Sequence, residues 1–323
     1  INIPTGKDSL SMTQKYGDDK VLAPGTVIIS AAAEVNDIHR IVSPVLLNDA
    51  NTEIYYVDFS GCDLRLGGSA FAQSLGSVGN EVPDVADADY FRRAFGAVQT
   101  AIGSGMVHAG HDVSAGGLLV ALLEMCFANV EGGMEVDLDA IPDSDLVKVL
   151  FAENPAVLLQ VRAGEPLELI LREEGVRFYR IAHPTDERHL LINKDGASYH
   201  FGIDYMRDVW YGSSYLLDRL QSGEECAAAR YENYKMQPLK FRIPETFSGS
   251  LMALGLDPLR QERRGIRAAI LRDKGTNGER EMAYALHLAG FDVKDVHLTD
   301  LATGRETLDE IDFAVFCGGF SNS

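Results

Sequence analysis

Apolar residues at helical spacing flank a Gly-rich stretch near the middle of the chain. On either side they recur every three or four positions, which places their side chains on one face of a helix. They are Phe91, Phe95, Val98, Ile102 and Met106 before the stretch, and Leu118, Leu119, Leu122, Leu123 and Cys126 after it. The sequence therefore predicts two helices that meet at residues 111–117, His-Asp-Val-Ser-Ala-Gly-Gly.

Runs of β-branched and aromatic residues predict strands elsewhere before residue 200. Residues 26–35 are typical of a buried strand, and residues 54–59 predict a second one. Three apolar runs then follow, with a helical pattern over residues 166–174 between the first two, and this alternation favours an α/β layer over an all-β sandwich. The runs cover residues 158–161, 176–181 and 189–192.

A further helix is predicted by an apolar stripe at helical spacing, in which Trp210 is interpreted as a packing residue. The stripe consists of Met206, Val209, Trp210, Leu216, Leu217 and Leu220. A linker that carries Pro and Gly follows over residues 237–262.

The pattern changes after this linker to strand, helix, strand and strand, which predicts the opening of a doubly wound parallel sheet. In such sheets ligands bind beyond the carboxyl ends of the strands. Gly318, Gly319 and Phe320 follow the last predicted strand, where their backbone N–H groups would suit an oxyanion hole.

The charge balance excludes some partners. The chain has 29 Lys and Arg residues against 48 Asp and Glu residues, a formal net charge of -19, and no basic run that suits a nucleic-acid backbone. We therefore expect no nucleic-acid partner, and we expect phosphates to be bound by backbone N–H groups, a few basic side chains and cations. No apolar run approaches the ~18 residues of a membrane span. The four cysteines lack disulfide or metal spacing, which predicts a cytoplasmic protein.

The stretch 111–117 carries the clearest candidate chemistry. Ser114 suits a helix N-cap, and the glycines after it leave first-turn N–H groups open to an anion. Asp112 is a carboxylate of the kind that binds Mg²⁺ beside a phosphate. A capped helix start without a ligand explains the same residues. Gly67, Gly68 and Ser69 have a similar helix-start composition, for which a structural and a functional interpretation are also both open. The residues alone leave both interpretations open.

A second candidate lies at Gly6, Lys7 and Ser9. These residues lack the first glycine of a P-loop and a preceding strand, which makes a true P-loop improbable. Two interpretations are left: an ordinary polar turn, or a loop that faces a phosphate with Lys7 as a charge and Ser9 as a hydroxyl donor.

Four motifs in order resemble the large, single-chain phosphoribosylformylglycinamidine synthase family. They are Gly-Lys-Asp-Ser-Leu-Ser-Met from residue 6, Leu-Gly-Gly-Ser-Ala from residue 66, His-Asp-Val-Ser-Ala-Gly-Gly-Leu from residue 111 and Gly-Gly-Phe-Ser from residue 318. The resemblance implies a mixed α/β and α+β chain. Its segments would be the end of a second synthetase sheet domain, a second α/β domain like that of aminoimidazole ribonucleotide synthetase, a linker and the start of a class I glutamine amidotransferase domain. These would cover residues 1–56, 57–236, 237–263 and 264–323.

The same resemblance implies a ligase that forms a C–N bond with glutamine as the amido donor. ATP would activate formylglycinamide ribonucleotide, and ammonia from glutamine would convert it to formylglycinamidine ribonucleotide in purine biosynthesis, with Mg²⁺ offsetting charge. Carried over by position, Asp112 is the Mg²⁺ ligand and Ser114 contacts ATP or ADP. Gly6, Lys7 and Ser9 would face nucleotide or substrate phosphate.

Two departures from the family limit what this chain is expected to do. Ala115 stands where the family usually has Asp, and residues 321–323 differ from its Ser-Tyr-Gly. The family's glutaminase Cys, His and Glu would lie past Ser323, and its first half-synthetase before Ile1. We therefore expect a piece of a longer protein without activity of its own. Another ATP-using enzyme of the same superfamily, or a nucleotide-binding structural module, is the alternative.

Overall fold

The computed structural model describes residues 2–8, 13–22, 27–33, 40–234, 236 and 250–319. The chain divides into two compact units, residues 1–237 and 238–323. Within the described ranges, no helix has both the length and the apolar composition needed to cross a membrane.

Two short antiparallel pairs open the first unit. Strand β1 (Asn2–Asp8) pairs with β4 (Val27–Ala32), and β2 (Thr13–Tyr16) forms a hairpin with β3 (Asp19–Leu22). The predicted strand is confirmed over residues 27–32, but its predicted burial is wrong for Ile28 and Ile29, which are 56% and 67% exposed. The reason is that β4 belongs to a sheet of only two strands among the described residues. Residues 26, 34 and 35 of the predicted range lie outside the described residues.

A seven-stranded mixed sheet forms the body of the first unit. Its order is β11-β10-β7-β9-β5-β8-β6, and neighbours are antiparallel except for the parallel pair β7 and β10. The strands are β5 (Thr52–Asp58), β6 (Val107–Val113), β7 (Gly133–Asp137), β8 (Ala156–Arg162), β9 (Phe178–Thr185), β10 (His189–Lys194) and β11 (Ala197–Gly202). The helices of this unit are α1 (Ala70–Ser74), α2 (Ala88–Ser104), α3 (Gly117–Phe127), α4 (Leu146–Phe151), α5 (Leu167–Glu173), α6 (Ile203–Ser222) and α7 (Glu224–Asn233).

The interior strand β5 sends side chains into two separate hydrophobic clusters. Successive strand residues point to opposite faces of a sheet. Ile54 and Tyr56 therefore pack in the cluster that contains most of α3, whereas Tyr55 and Val57 pack with the apolar faces of α2 and α5. The sheet is thus covered on both faces where β5 crosses it.

The predicted meeting of two helices at residues 111–117 is wrong. Helix α2 ends before Gly105, which has a left-handed φ of 82°, and strand β6 then occupies residues 107–113. In the part of the chain that the structure describes, strand β6 pairs within a sheet only with β8, so it is an edge strand that can carry polar residues such as His108, His111 and Asp112. Its sequence therefore lacked the apolar run that marks a buried strand.

Helix α6 is confirmed, but its apolar stripe is mostly exposed. Val209, Leu216, Leu217 and Leu220 are 55%, 59%, 64% and 85% exposed. Helix α7 packs beside α6, where the rings of Tyr215 and Tyr231 stack at 4.6 Å between centroids.

The second unit contains the predicted parallel sheet, in the order β13-β12-β14. Its elements are β12 (Arg267–Arg272), α8 (Glu279–Leu288), β13 (Asp292–His297), α9 (Leu298–Ala302) and β14 (Phe313–Phe316). The central strand β12 contributes Ala268 and Ile270 to one small cluster and Ala269 and Leu271 to another. This arrangement confirms the predicted doubly wound pattern.

Candidate functional site

The Gly-rich stretch lies at the end of edge strand β6 and turns directly into α3. The Asp112 side chain is 74% exposed there, and the side chain of Ser114 lies in the exposed part of the turn. The geometry thus leaves the predicted metal ligand accessible to a small ion or ligand.

The predicted N-cap role of Ser114 is wrong. Gly116 occupies the cap position of α3 with φ 91°, a left-handed conformation that glycine adopts without strain. Its backbone N–H donates a hydrogen bond to Glu153 Oε1 at 2.8 Å, while Ser114 contributes only its carbonyl oxygen, which accepts from the Gly117 N–H at 2.9 Å. A carboxylate of the protein itself therefore occupies the place where the sequence suggested an external anion.

The second Gly-rich segment, residues 66–70, is also closed by contacts within the protein. The N–H groups of Gly67 and Gly68 donate to the carbonyl oxygens of Glu81 and Val78 at 2.7 and 2.8 Å. Ser69 is the N-cap of α1, because its hydroxyl accepts from the Ala72 N–H at 3.2 Å. These contacts favour the structural interpretation of the glycines.

His111 is held at the other side of the β6 end by one carboxylate and one backbone carbonyl group. Its Nε2 lies 3.4 Å from Glu124 Oε2, and its Nδ1 lies 2.7 Å from the Asp112 carbonyl oxygen. Trp210 Nε1 donates to the other Glu124 oxygen at 3.1 Å, so the indole has a polar contact as well as the predicted packing against Phe127. Residues from α3 and α6 thus fix the ring beside Asp112.

The remaining candidates are spread over other parts of the chain. Gly6 and Lys7 lie in strand β1, opposite Ile29 and Ile28, so the predicted turn or loop at these two positions is wrong. Ser9 lies outside the described residues.

Gly318 and Gly319 follow β14, as predicted, whereas Phe320 lies outside the described residues. Gly319 forms a β-bridge with Thr276, and the Asn277 N–H donates to the Gly318 carbonyl at 2.9 Å. A Cβ at Gly319 would overlap the Gly275 carbonyl oxygen, so only glycine fits there. The proposed use of these N–H groups as an oxyanion hole stays a prediction.

The residues around Asp112 fit a Mg²⁺ ion that is bound partly by water and substrate phosphates better than one that is bound by protein side chains alone. Within the described ranges, no three His, Cys, Asp or Glu side chains are grouped closely enough to hold a metal ion. Mg²⁺ commonly binds one or two carboxylates and takes its other oxygens from water and substrate phosphates. The exposed Asp112 carboxylate is compatible with that mode.

A cleft of about 400 Å³ lies beside the end of β5 and was missed by sequence reasoning. Asp58 and Arg177 form an ion pair in its wall, with Oδ2 and Nη2 2.7 Å apart. Tyr56 and Tyr179 also line it, and burial raises the pKa of both hydroxyls, which therefore stay neutral donors. These tyrosines pair across β5 and β9, a long-range contact that no local pattern reveals.

Two family models match the chain. Residues 54–193 match the C-terminal domain of AIR synthase related proteins, and residues 265–323 match the CobB/CobQ-like glutamine amidotransferase domain. The first match extends from β5 to β10, and the second contains the whole three-stranded parallel sheet. The predicted fold class, an AIR synthase-like domain followed by an amidotransferase-like one, is confirmed.

Known proteins match the chain along almost its full length. It is 35% identical over 333 residues to the "Probable phosphoribosylformylglycinamidine synthase, chloroplastic/mitochondrial" of Arabidopsis thaliana, and 36% identical over 330 residues to the phosphoribosylformylglycinamidine synthase of Homo sapiens. These matches cover 23% and 24% of the relatives, so the chain spans about a quarter of their length. A solved structure, "T. maritima PurL complexed with ATP", aligns at a TM-score of 0.41 and 15% identity over 56% of this chain and 28% of that chain. The predicted resemblance is confirmed: over 99% of its length the chain is similar to phosphoribosylformylglycinamidine synthases.

Proposed function

We propose that this chain supplies part of the nucleotide and metal machinery of a phosphoribosylformylglycinamidine synthase. The reaction would be the conversion of formylglycinamide ribonucleotide to formylglycinamidine ribonucleotide, with ATP and with ammonia derived from glutamine. The observation that carries the proposal is the exposed Asp112 carboxylate at the end of β6, in a chain that matches these synthases at 35–36% identity.

The residues around this carboxylate have separate proposed roles. Asp112 would hold Mg²⁺, which supplies positive charge against the transferring phosphoryl group. The exposed Ser114 side chain would donate a hydrogen bond to the ATP or ADP phosphates. Glu124 holds His111 beside Asp112, so the end of β6 is supported from both α3 and α6. On the basis of the family resemblance alone, Gly6, Lys7 and Ser9 would also contact phosphate.

Calorimetry of Mg²⁺-dependent ADP binding tests this proposal. Asp112→Asn should weaken binding tenfold or more, about 1.4 kcal/mol, because an amide is a poorer ligand for Mg²⁺ than a carboxylate. Asp186→Asn is the matched control, since Asp186 is an exposed aspartate in the turn between β9 and β10. Equal affinity of the Asp112→Asn and unsubstituted chains would reject the role of Asp112. Absence of binding by the unsubstituted chain would reject a site that works within this chain alone.

The amidotransferase-like second unit favours the synthase over other ATP-using enzymes of the superfamily. The match of residues 265–323 to a glutamine amidotransferase domain fits an enzyme that takes its ammonia from glutamine. We infer that Gly318, Gly319 and Phe320 belong to the glutamine site. Glutamine hydrolysis in the full-length synthase should fall on Gly319→Ala, while ammonia-dependent synthesis should persist.

We infer a cytoplasmic location from the four free cysteines, which suit a reducing compartment. The Arabidopsis relative is named as chloroplastic/mitochondrial, so fractionation of cells that express the protein is the deciding measurement.

A further inference from the structure

Glu153 joins the two Gly-rich turns with a single carboxylate oxygen. Its Oε1 accepts hydrogen bonds from the Ala70 N–H at 2.7 Å and from the Gly116 N–H at 2.8 Å. The first donor begins α1 and the second precedes α3, so the two bonds link segments that are 46 positions apart in the sequence. Hydrogen bonds to a charged acceptor are about twice as strong as those between neutral groups.

The neighbouring residue anchors the same loop from the other end. Asn154 is fully buried, and its Oδ1 accepts from the Arg65 N–H at 3.1 Å. Its Nδ2 donates to the carbonyl oxygen of Asp63 at 3.0 Å. Glu153 and Asn154 thus hold both ends of the segment 63–70 against the start of β8.

The turn before α3 is packed tightly enough for this link to fix its position. A Cβ on Gly117 would lie 2.7 Å from the carbonyl oxygen of Leu150, at the end of α4. Strand β8 pairs with β6 so that Ala156 faces Val113 and Val157 faces Asp112. Glu153 lies just before the paired residues of β8, and the turn 114–116 lies just after the paired residues of β6. A change at Glu153 therefore acts directly on the residues that follow Asp112.

We propose that Glu153 is a positioning residue of the nucleotide site, a role that rests on the function proposed above. Its Oε1 sets the turn 114–116 against the loop 66–70 and so fixes where Asp112 and Ser114 present their side chains. Because Glu153 already accepts the Gly116 N–H, the nucleotide phosphate is bound through Mg²⁺ and the Ser114 hydroxyl rather than through that N–H.

Amide hydrogen exchange measured by NMR tests the link without any ligand. Glu153→Ala should speed exchange of the Ala70 and Gly116 amides tenfold or more together, because both lose their acceptor. Glu153→Gln should restore most of the protection, since its amide oxygen can still accept both bonds. Glu173→Ala, which removes an exposed glutamate on α5, is the matched control and should change neither amide. Unchanged exchange, or faster exchange at only one of the two amides, would overturn the proposal.

ADP titration in the presence of Mg²⁺ separates the positioning role from the proposed function. Where the unsubstituted chain binds, Glu153→Ala should lose at least tenfold in affinity and Glu153→Gln less than threefold. Full affinity in Glu153→Ala with fast exchange at both amides would overturn the positioning role while leaving the function of Asp112 standing. Where the unsubstituted chain does not bind, the same titration is made on the full-length synthase with the equivalent substitution, and the same outcomes apply.

Discussion

Asp58 is a carboxylate that the fold buries and pairs with one partly exposed cation. Its side chain is 8% exposed, and it accepts from the Ser60 N–H and hydroxyl as well as from Arg177. A buried carboxylate that loses its partner retains its desolvation cost without compensation.

Arg177→Met should therefore destabilise the first unit by about 2 kcal/mol, less than for a fully buried pair because Arg177 is 43% exposed. Urea unfolding followed by circular dichroism measures this change. Arg92→Met is the control, because its pair with Asp89 is about three quarters exposed and should matter by less than about 0.5 kcal/mol. Equal losses in the two variants would contradict the argument.

Cys126 gives the molecule a pH-dependent component of stability. Burial in α3 raises the pKa of its thiol from 9.0 to about 12, although the charge of Arg188 opposes this shift. A raised pKa in the folded protein means that folding favours the neutral thiol. The stability that the buried thiol contributes is therefore complete below pH 9 and is lost as the pH rises from about 9 to about 12.

The unfolding free energy of the unsubstituted chain should therefore fall relative to that of Cys126→Ala between pH 8 and pH 10, by about 1.4 kcal/mol. Urea titrations at both pH values measure the difference. Alkylation at pH 8 is an independent check, because exposed Cys226 should react in the native protein and Cys126 only after unfolding. A constant difference between the two chains would show that the thiol is not protected in this way.

Gly67 shows at the level of elements how a loop depends on close backbone approach. A Cβ at this position would overlap the Glu81 carbonyl oxygen, which is the acceptor for the Gly67 N–H. Gly67→Ala should therefore cost about 2 kcal/mol of stability and release the loop before α1. Gly103→Ala is the control, because a Cβ there meets nothing within 4 Å and alanine favours the helix α2 by up to about 1 kcal/mol. Thermal unfolding of both variants should give shifts of opposite sign.

Elements with a strong periodic signal were predicted well, because one local property decides them. Helices α2, α3, α5, α6 and α8 and strands β5, β8, β12 and β13 all agree with their apolar patterns. Strand β6 was missed because an edge strand needs few apolar residues, and the N-cap of α3 was misassigned because its acceptor comes from Glu153, 37 residues away. Such long-range partners leave no trace in local spacing.

The exposed stripe of α6 predicts that the whole molecule self-associates. It combines Val209, Leu216, Leu217 and Leu220, and in the part of the chain that the structure describes nothing shields them from solvent. Contiguous exposed apolar surface promotes association and dye binding.

The double variant Leu216→Lys, Leu220→Lys should therefore sediment closer to a monomer and bind less of a hydrophobic dye at micromolar concentration. Leu169→Lys, at an isolated apolar residue of α5 that is 56% exposed, should change neither property. A monodisperse monomer with low dye binding before any substitution would contradict the expectation.

For the whole molecule, the four motifs predicted the family because their order along the chain matches the order in that family. The contacts within the candidate site did not follow from the motifs. Asp112 lies where the motif suggests, yet the contacts that hold its neighbours His111 and Gly116 come from Glu124 and Glu153, which belong to none of the motifs. The sequence therefore predicted an exposed carboxylate at this position but not the contacts around it.

The order of strands in the large sheet also affects how the protein is made. Strand β5 lies in the interior of the sheet, but both of its neighbours, β8 and β9, are encoded about 100 residues or more later. At a synthesis rate of about 5–20 residues per second, this apolar interior strand is made on the order of 5–20 s before its first partner. The nascent chain therefore exposes its most buried strand throughout this interval, which is when a chaperone that binds apolar segments would improve the yield of folded protein.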